Sequence, residues 1–207
     1  MFKKNKMHGL LALGALALQT VPAMAQVTER SHELHGYGGQ WSSSDYLGAM
    51  NTGTGRLKID DGTTYGLRYS ANLLYQWGVE LSLGRIDTAV KSCCRAPVDL
   101  TLTGLDVSAI RHYNEGHRFV PYVGVGAGLV YPHFDRPLVF SGRGMPTVTV
   151  QGSDGVTFNV EAGMKYFVAD RFLVRLDARY RFVQQIATTL DNSLSTFETT
   201  LGLGFTF

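Results

Sequence analysis

The stretch from Ser195 to Phe207 reads STFETTLGLGFTF, and its side chains alternate between two kinds. From Phe197 onward the odd positions carry mainly apolar residues, whereas the even positions carry polar or small ones. A period of two predicts a β-strand with one apolar face and one polar face. The strand is therefore expected to lie between an apolar environment on one side and a polar environment on the other.

The same alternation recurs along the chain and predicts an all-β fold. Short turns and long connections separate the alternating segments in strict succession, as in an antiparallel up-and-down transmembrane β-barrel with short periplasmic turns and long external loops. The short turns are expected at 72–74, 114–118 and 169–171, and the long loops at 43–62, 88–100, 132–155 and 184–194. The eight strands are expected near 33–42, 63–71, 75–87, 101–113, 119–131, 156–168, 172–183 and 195–207.

The composition of the two faces predicts which of them meets lipid. In the segment 172–183, Phe172, Leu176 and Tyr180 share one face, and charged residues occupy the other. An eight-stranded barrel is too narrow to enclose so many large apolar side chains, so the apolar face is expected to point outwards. Glycines would then line the lumen, where long polar side chains need space. Two aromatic belts are expected, a periplasmic one with Trp77, Tyr113, Tyr166, Phe172 and Phe207, and an outer one with Tyr65, Tyr131, Phe182 and Phe197.

Ten charged side chains are expected to form a network inside the barrel. Opposite charges in a narrow lumen can pair and hydrogen-bond, as buried ions require. We favour a polar core that fills the barrel, and the alternative is an ion path or a gated pore. The five cations are Arg68, Lys165, Arg175, Arg179 and Arg181, and the five anions are Glu80, Asp106, Glu161, Asp177 and Glu198.

The amino terminus has the three parts of a secretory signal peptide. Lysines precede the apolar run 9–18, and Ala23-Met24-Ala25 is a small-residue cleavage motif. Cleavage after Ala25 would divide the chain into a signal peptide, residues 1–25, and an outer-membrane barrel domain, residues 26–207. Loss of three signal lysines lowers the formal net charge from +2 to −1. A nearly neutral mature chain gives no reason to expect a nucleic-acid partner.

Three segments resemble a known family. RFVPYVGVGAGLVY, VEAGMKYFVADRFLVRLDARYRF and ETTLGLGFTF are similar to small OmpA/OmpX/OmpW-like outer-membrane β-barrels. The closing stretch also resembles the insertion signal of such proteins, with Thr200, Gly202, Phe205 and Phe207 at the signal positions. The resemblance implies a monomer in the outer membrane of a Gram-negative bacterium, in contact with lipid and lipopolysaccharide. It also implies the barrel-assembly machinery as a partner during insertion.

The expected function is non-enzymatic display of surface loops for adhesion, envelope integrity or host interaction. A narrow channel for small or apolar solutes is the alternative, and a lipid A-modifying enzyme is a second one. The chain lacks the His-x-Ser pair of lipid A deacylases, and its scattered His133, Asp135 and Ser44-Asp45 do not define a catalytic site. No cofactor or metal is expected, because His32 and His35 fall on opposite faces of a strand. His112 is expected to face the lumen.

Two loops carry further expectations. Cys93 and Cys94 are the sole cysteines of an exported chain, and they are expected to form a vicinal disulfide, with free thiols or bonds to another chain as alternatives. In the loop 132–155, LVF and TVTV flank SGRGMP and predict a protruding β-hairpin that extends the fifth and sixth expected strands. Arg136 and Arg143 of this loop are candidates for contact with lipopolysaccharide phosphates, and a hairpin edge for contact with a host or surface ligand.

Overall fold

The computed structural model describes residues 31–43, 46–49, 56–74, 76–92, 95–114, 116–136, 138–140, 148–150, 153–184 and 193–207. The proposed signal peptide, Cys93 and Cys94 lie outside these residues. No helix long and apolar enough to cross a membrane occurs in the part of the chain that is described.

The described residues form twelve β-strands. Eight of them are long, and four short ones lie in the first and third long loops. Their bounds are β1 His32–Ser43, β2 Tyr46–Ala49, β3 Arg56–Ile59, β4 Gly62–Leu74, β5 Trp77–Ser92, β6 Arg95–His112, β7 Phe119–Phe134, β8 Leu138–Phe140, β9 Val148–Val150, β10 Gly155–Phe167, β11 Phe172–Gln184 and β12 Ser193–Thr206.

The eight long strands close into an antiparallel barrel. Each pairs with its neighbour in the order β1, β4, β5, β6, β7, β10, β11 and β12, and β12 pairs again with β1. Leu34 lies opposite Phe205 at this closing seam, and His32 exchanges backbone hydrogen bonds with Phe207. The predicted eight-stranded barrel is confirmed. Both ends of the described chain lie at the end with the short turns, which we call the short-turn end.

Burial alternates along the membrane-facing part of the barrel strands, which confirms the assignment of the two faces. Phe172, Leu176 and Tyr180 point outwards with 60%, 47% and 37% of their surface exposed. Arg175 and Asp177, which lie between them in sequence, are buried inside. The aromatic residues of both predicted belts are all exposed on the outer surface.

The second long loop differs from the prediction, because β5 and β6 continue well beyond the membrane-facing part of the barrel. They remain paired as far as Ser92 and Arg95, with a register shift after Val90, where a loop was expected over 88–100. In this extension the inward-facing side chains are apolar and the outward-facing side chains are polar, which is the reverse of the membrane-facing part. Ile86 and Val90 are buried, whereas Asp87 and Lys91 lie on the outer face. Water replaces lipid outside this part of the barrel, so apolar side chains turn inwards.

The first and third long loops also contain strands. The first was predicted as a long loop over 43–62, yet β2 pairs with β3, and β3 pairs with β5 through Lys58 and Ile59. In the third loop β8 and β9 form a separate two-stranded antiparallel sheet, with Leu138 opposite Val150. The predicted hairpin is therefore present, although it does not continue the barrel sheet. Arg143 lies outside the described residues.

Candidate functional site

The ten charged residues predicted for the interior all lie in the lumen. They come from six strands of the barrel, and none is more than 7% exposed. The structure therefore places the whole set in one region that solvent does not fill.

Arg179 lies at the centre of this region and contacts three carboxylates. It donates two hydrogen bonds to Glu161 Oε2, from Nη2 at 2.7 Å and from Nε at 3.0 Å. Its Nη1 lies 3.5 Å from Asp106 Oδ2, and its Nη2 lies 3.6 Å from Glu80 Oε1. These contacts join strands β5, β6, β10 and β11 across the lumen.

A second group of ions lies between the centre and the short-turn end. Arg175 forms ion pairs with Glu80 and with Asp177, whose Oδ1 is 2.8 Å from Arg175 Nε. Arg68 pairs with Asp177 as well, and its Nε lies 3.7 Å from Glu80 Oε1. Arg175 Nε also donates to the hydroxyl of Tyr122 at 2.7 Å. Each carboxylate therefore has two or more cationic neighbours, as a buried anion requires.

Arg181 continues the network towards the long-loop end. Its Nη2 lies 2.7 Å from Asp106 Oδ2, and its Nη1 lies 3.6 Å from Glu198 Oε2. Hydroxyl groups donate to the second oxygen of each of these two carboxylates: Thr157 donates to Asp106 Oδ1 at 2.9 Å, and Thr64 donates to Glu198 Oε1 at 3.1 Å.

Lys165 has partners that the sequence analysis did not include in the network. Its Nζ lies 2.6 Å from Glu33 Oε2 and 3.0 Å from His112 Nε2, and Glu33 also contacts His35 Nε2 at 2.9 Å. The expectation of five cations balanced by five anions is therefore wrong, since Glu33 is a sixth buried carboxylate. The available signal was the period of two in β1, which puts Glu33 on the same face as His35. The expected lumenal position of His112 is confirmed, with 1% of its surface exposed.

Glycines of β7 make room for these side chains. A Cβ atom added to Gly124 would lie 2.8 Å from Oε1 and 2.9 Å from Cγ of Glu161. A Cβ atom on Gly128 would overlap Asp106 in the same way. Both distances are shorter than van der Waals contact, so the expected role of lumenal glycine is confirmed.

Apolar layers cover the ionic network at both ends of the lumen. At the short-turn end, Val120, Phe167 and Leu173 form a cluster in which no side chain is more than 2% exposed. A larger cluster occupies the long-loop end, and Ile59 of β3 joins it from the first loop. Its buried members are Trp41, Ile59, Ile86, Val90, Leu100, Leu102, Val130, Val183 and Leu194. Within the described residues, the lumen therefore holds ions in the middle and an apolar cluster at each end, with the buried polar residues Ser31 and Asn72 also at the short-turn end.

The rim of the barrel at the long-loop end carries a polar pocket of about 450 Å³. Asp87 lies here, two residues beyond Arg85, which is level with the outer aromatic residue Tyr65. Burial acts to raise the pKa of Asp87, but hydrogen bonds from Arg85, Tyr65 and Thr101 outweigh it and lower that pKa below its ordinary value.

The four residues of the proposed insertion signal lie along β12 and at its end. Thr200 faces the lumen and donates to Asp177 Oδ2 at 3.1 Å, and Gly202 is also on the buried face. Phe205 and Phe207 are exposed on the outer surface. The ring of Phe205 packs edge-on against Phe172 at 5.3 Å between centroids.

The described residues contain no group of three or more His, Cys, Asp or Glu side chains that could hold a metal ion. The histidines of β1 lie on opposite sides of the barrel wall, as expected: His35 is fully buried, whereas His32 stacks on Tyr69 at the outer surface. His133 and Asp135 are exposed at the long-loop end, and Ser44-Asp45 lies outside the described residues.

Several solved structures share this fold at low sequence identity. The chain is similar to the outer membrane protein OprG from Pseudomonas aeruginosa, with a TM-score of 0.61 and 18% identity over 86% of this chain and 96% of that one. Neisserial surface protein A gives a TM-score of 0.58 and 18% identity over 86% and 96% of the two chains. Ail, the attachment invasion locus protein of Yersinia pestis, gives a TM-score of 0.52 and 18% identity over 87% of this chain and 100% of that one. A search of curated proteins found no match.

The family itself is shown by a sequence match that covers nearly the whole chain. Residues 9–207 match the model of the outer membrane protein beta-barrel domain. The closed antiparallel barrel and its outward apolar face agree with this match. In barrels of this type the short turns lie on the periplasmic side. The chain belongs to the outer membrane protein β-barrel domain family and is an eight-stranded barrel of the Gram-negative outer membrane.

Proposed function

We propose that this protein is a non-conducting, non-enzymatic barrel that displays β-hairpins at the cell surface for contact with host or surface ligands. The observation that carries the proposal is the exclusion of solvent from the lumen. The buried ions are at most 7% exposed, and apolar clusters cover them at both ends. Because the interior of the barrel is filled by packed side chains, the loops at the long-loop end are the part of the protein that can contact partners.

The hairpins at the long-loop end have the properties of a docking surface. The strands β5 and β6 extend there as a hydrogen-bonded pair, and β3 adds to the edge of β5. In the described residues β8 and β9 pair with each other, and the other edge of each strand has no partner strand. Such an edge can accept a strand from a partner, with main-chain hydrogen bonds supplying affinity. Arg136, which is exposed just before β8, adds a cation beside this hairpin.

Conductance separates the display function from the channel alternative. The purified chain, reconstituted into planar lipid bilayers, is expected to give no reproducible openings, because ion movement would require several buried ion pairs to separate. A general porin added to the same bilayers serves as the positive control. Reproducible single-channel currents from the purified chain would overturn the sealed-lumen proposal.

Surface binding is tested by replacing residues 138–150 with a Gly-Ser linker of equal length. A non-adherent Gram-negative strain that expresses the intact chain is expected to adhere to cultured epithelial cells, and the replacement is expected to abolish adherence. Asp170→Ser, in the exposed short turn at the opposite end of the barrel, is the matched control and should leave adherence unchanged. Equal adherence of cells with and without the hairpin would contradict the assignment to this loop.

A further inference from the structure

Arg111 is a charged side chain on the lipid-facing surface of the barrel. It is the second-to-last residue of β6, and its neighbours on that face are Ala109 and Tyr113. The strand register places it opposite Trp77 on one side and Val123 on the other. Arg111 thus lies near the short-turn end, at the level of the periplasmic aromatic belt.

The guanidinium of Arg111 rests on aromatic rings and has no carboxylate partner in the described part of the chain. Its Cζ lies 5.6 Å from the ring centroid of Trp77 and 5.3 Å from that of Tyr113. Two outward cations at the other end of the barrel are paired instead: Arg85 lies 2.9 Å from Asp87, and Lys91 lies 2.6 Å from Asp60. The charge of Arg111 is therefore available to an external anion.

An apolar groove begins at Arg111 and crosses the outer surface of the barrel. Its floor consists of small side chains in one hydrogen-bonded row, where Ala162 lies opposite both Val123 and Ala178. The larger Tyr180 and Phe197 border it. Its volume of about 690 Å³ lies within the range of roughly 300–1,000 Å³ that is typical of ligand sites.

The direction of the groove fits a lipid chain that enters from the periplasmic interface. Arg111 is close to the periplasmic end of β6, whereas Ala178 lies in the middle of β11, Phe172–Gln184. Barrel strands are tilted by about 35–45°, so a row that runs perpendicular to them climbs from the interface into the bilayer. The polar end of the groove therefore lies at the headgroup level, and its apolar part lies within the hydrocarbon.

We propose that this groove binds one glycerophospholipid of the periplasmic leaflet. The phosphate would accept hydrogen bonds from the guanidinium of Arg111, and one acyl chain would lie over Ala162 and Ala178. Arginine suits this role because its planar group can donate two parallel hydrogen bonds to a phosphate. Trp77 and Tyr113 hold the guanidinium at the interface and reduce the entropy lost on binding.

Native mass spectrometry of the delipidated, folded chain with phosphatidylglycerol or phosphatidylethanolamine tests the proposal. The intact chain is expected to retain one phospholipid. Arg111→Gln should bind at least about tenfold more weakly, as expected for the loss of hydrogen bonds to a charged group. Ala162→Leu/Ala178→Leu should also weaken binding, because leucine fills the groove. Arg85→Gln, a substitution of an exposed arginine at the other end, should leave binding unchanged.

The main competing occupant is a second copy of the chain. Ala178→Cys, made in a Cys93→Ser/Cys94→Ser background, reports on it, since a dimer packed through the groove would give disulfide-linked dimers in native membranes. Such dimers, or equal lipid retention by the intact chain and both groove variants, would overturn the proposal. The heat-dependent gel mobility that folded barrels show confirms that each variant is folded before its binding is compared.

Discussion

Arg179 and Glu161 face each other directly across strands β10 and β11, and the arginine donates two hydrogen bonds to a single carboxylate oxygen. Both side chains are buried in the centre of the lumen. The pair has no access to water, so each charge depends on the other and on the ions around it.

Removal of one partner should therefore cost far more than removal of both. Arg179→Met is expected to destabilise the barrel by about 3–5 kcal/mol, since it leaves Glu161 buried without its donors. The double variant Arg179→Met/Glu161→Gln should recover part of this loss. Equilibrium urea unfolding in lipid vesicles, arranged as a double-mutant cycle, measures the coupling. Strictly additive effects would show that the two residues do not act as a pair.

The narrow space beside Glu161 predicts a cost for adding a single methyl group. Gly124→Ala would place a Cβ atom 2.8 Å from Glu161 Oε1, and we expect a destabilisation of about 1–3 kcal/mol from overpacking. Gly36→Ala is the matched control, because its Cβ would meet nothing closer than Leu67 Cδ2 at 4.0 Å on the outer surface. The control should lie within about 0.5 kcal/mol of the original chain. Similar unfolding midpoints for both variants would contradict the packing argument.

The proposed insertion signal can be separated from the contribution of Phe207 to stability. This side chain is 62% exposed and stacks on His32, so Phe207→Ala should cost no more than about 1.5 kcal/mol in refolded protein. If the assembly machinery reads the terminal aromatic residue, the same substitution should strongly reduce the amount of folded protein in outer membranes. Leu203→Ala, which removes another exposed side chain of β12, is the control. Equal yields from both variants would argue against a signal at Phe207.

The predicted signal peptide has a direct chemical test. Protein extracted from outer membranes should begin at Gln26, and its intact mass should correspond to residues 26–207. Ala25→Leu should slow processing, because signal peptidase requires a small residue before the cleaved bond. A mature protein that retains residues before Gln26 would show that the predicted site is wrong.

The expected vicinal disulfide also makes a specific prediction. Reduction under denaturing conditions should increase the mass of the mature chain by two hydrogen atoms and leave it monomeric. Cys93→Ser should abolish this increase. Dimers that disappear on reduction would instead show that Cys93 or Cys94 bonds to another chain.

The alternating pattern by itself determined the barrel, the number of its strands and the direction of each side chain. A β-strand has a period of two, so Arg175 and Asp177 must share a face opposite to Leu176 whatever lies beyond the strand. The ten predicted lumenal charges followed from this rule. The lipid-facing surface followed from the limited volume inside eight strands.

Tertiary structure decided the partners, because pairing depends on register between strands that are distant in sequence. Lys165 meets Glu33 from the opposite end of the chain, and no local pattern connects the two. The medium that surrounds the barrel also changes along β5 and β6, from lipid to water. Leu83 faces lipid, whereas Ile86 turns inwards at the rim. A period of two assigns side chains to faces, but the surroundings of the folded barrel decide whether lipid, water or another ion meets each face.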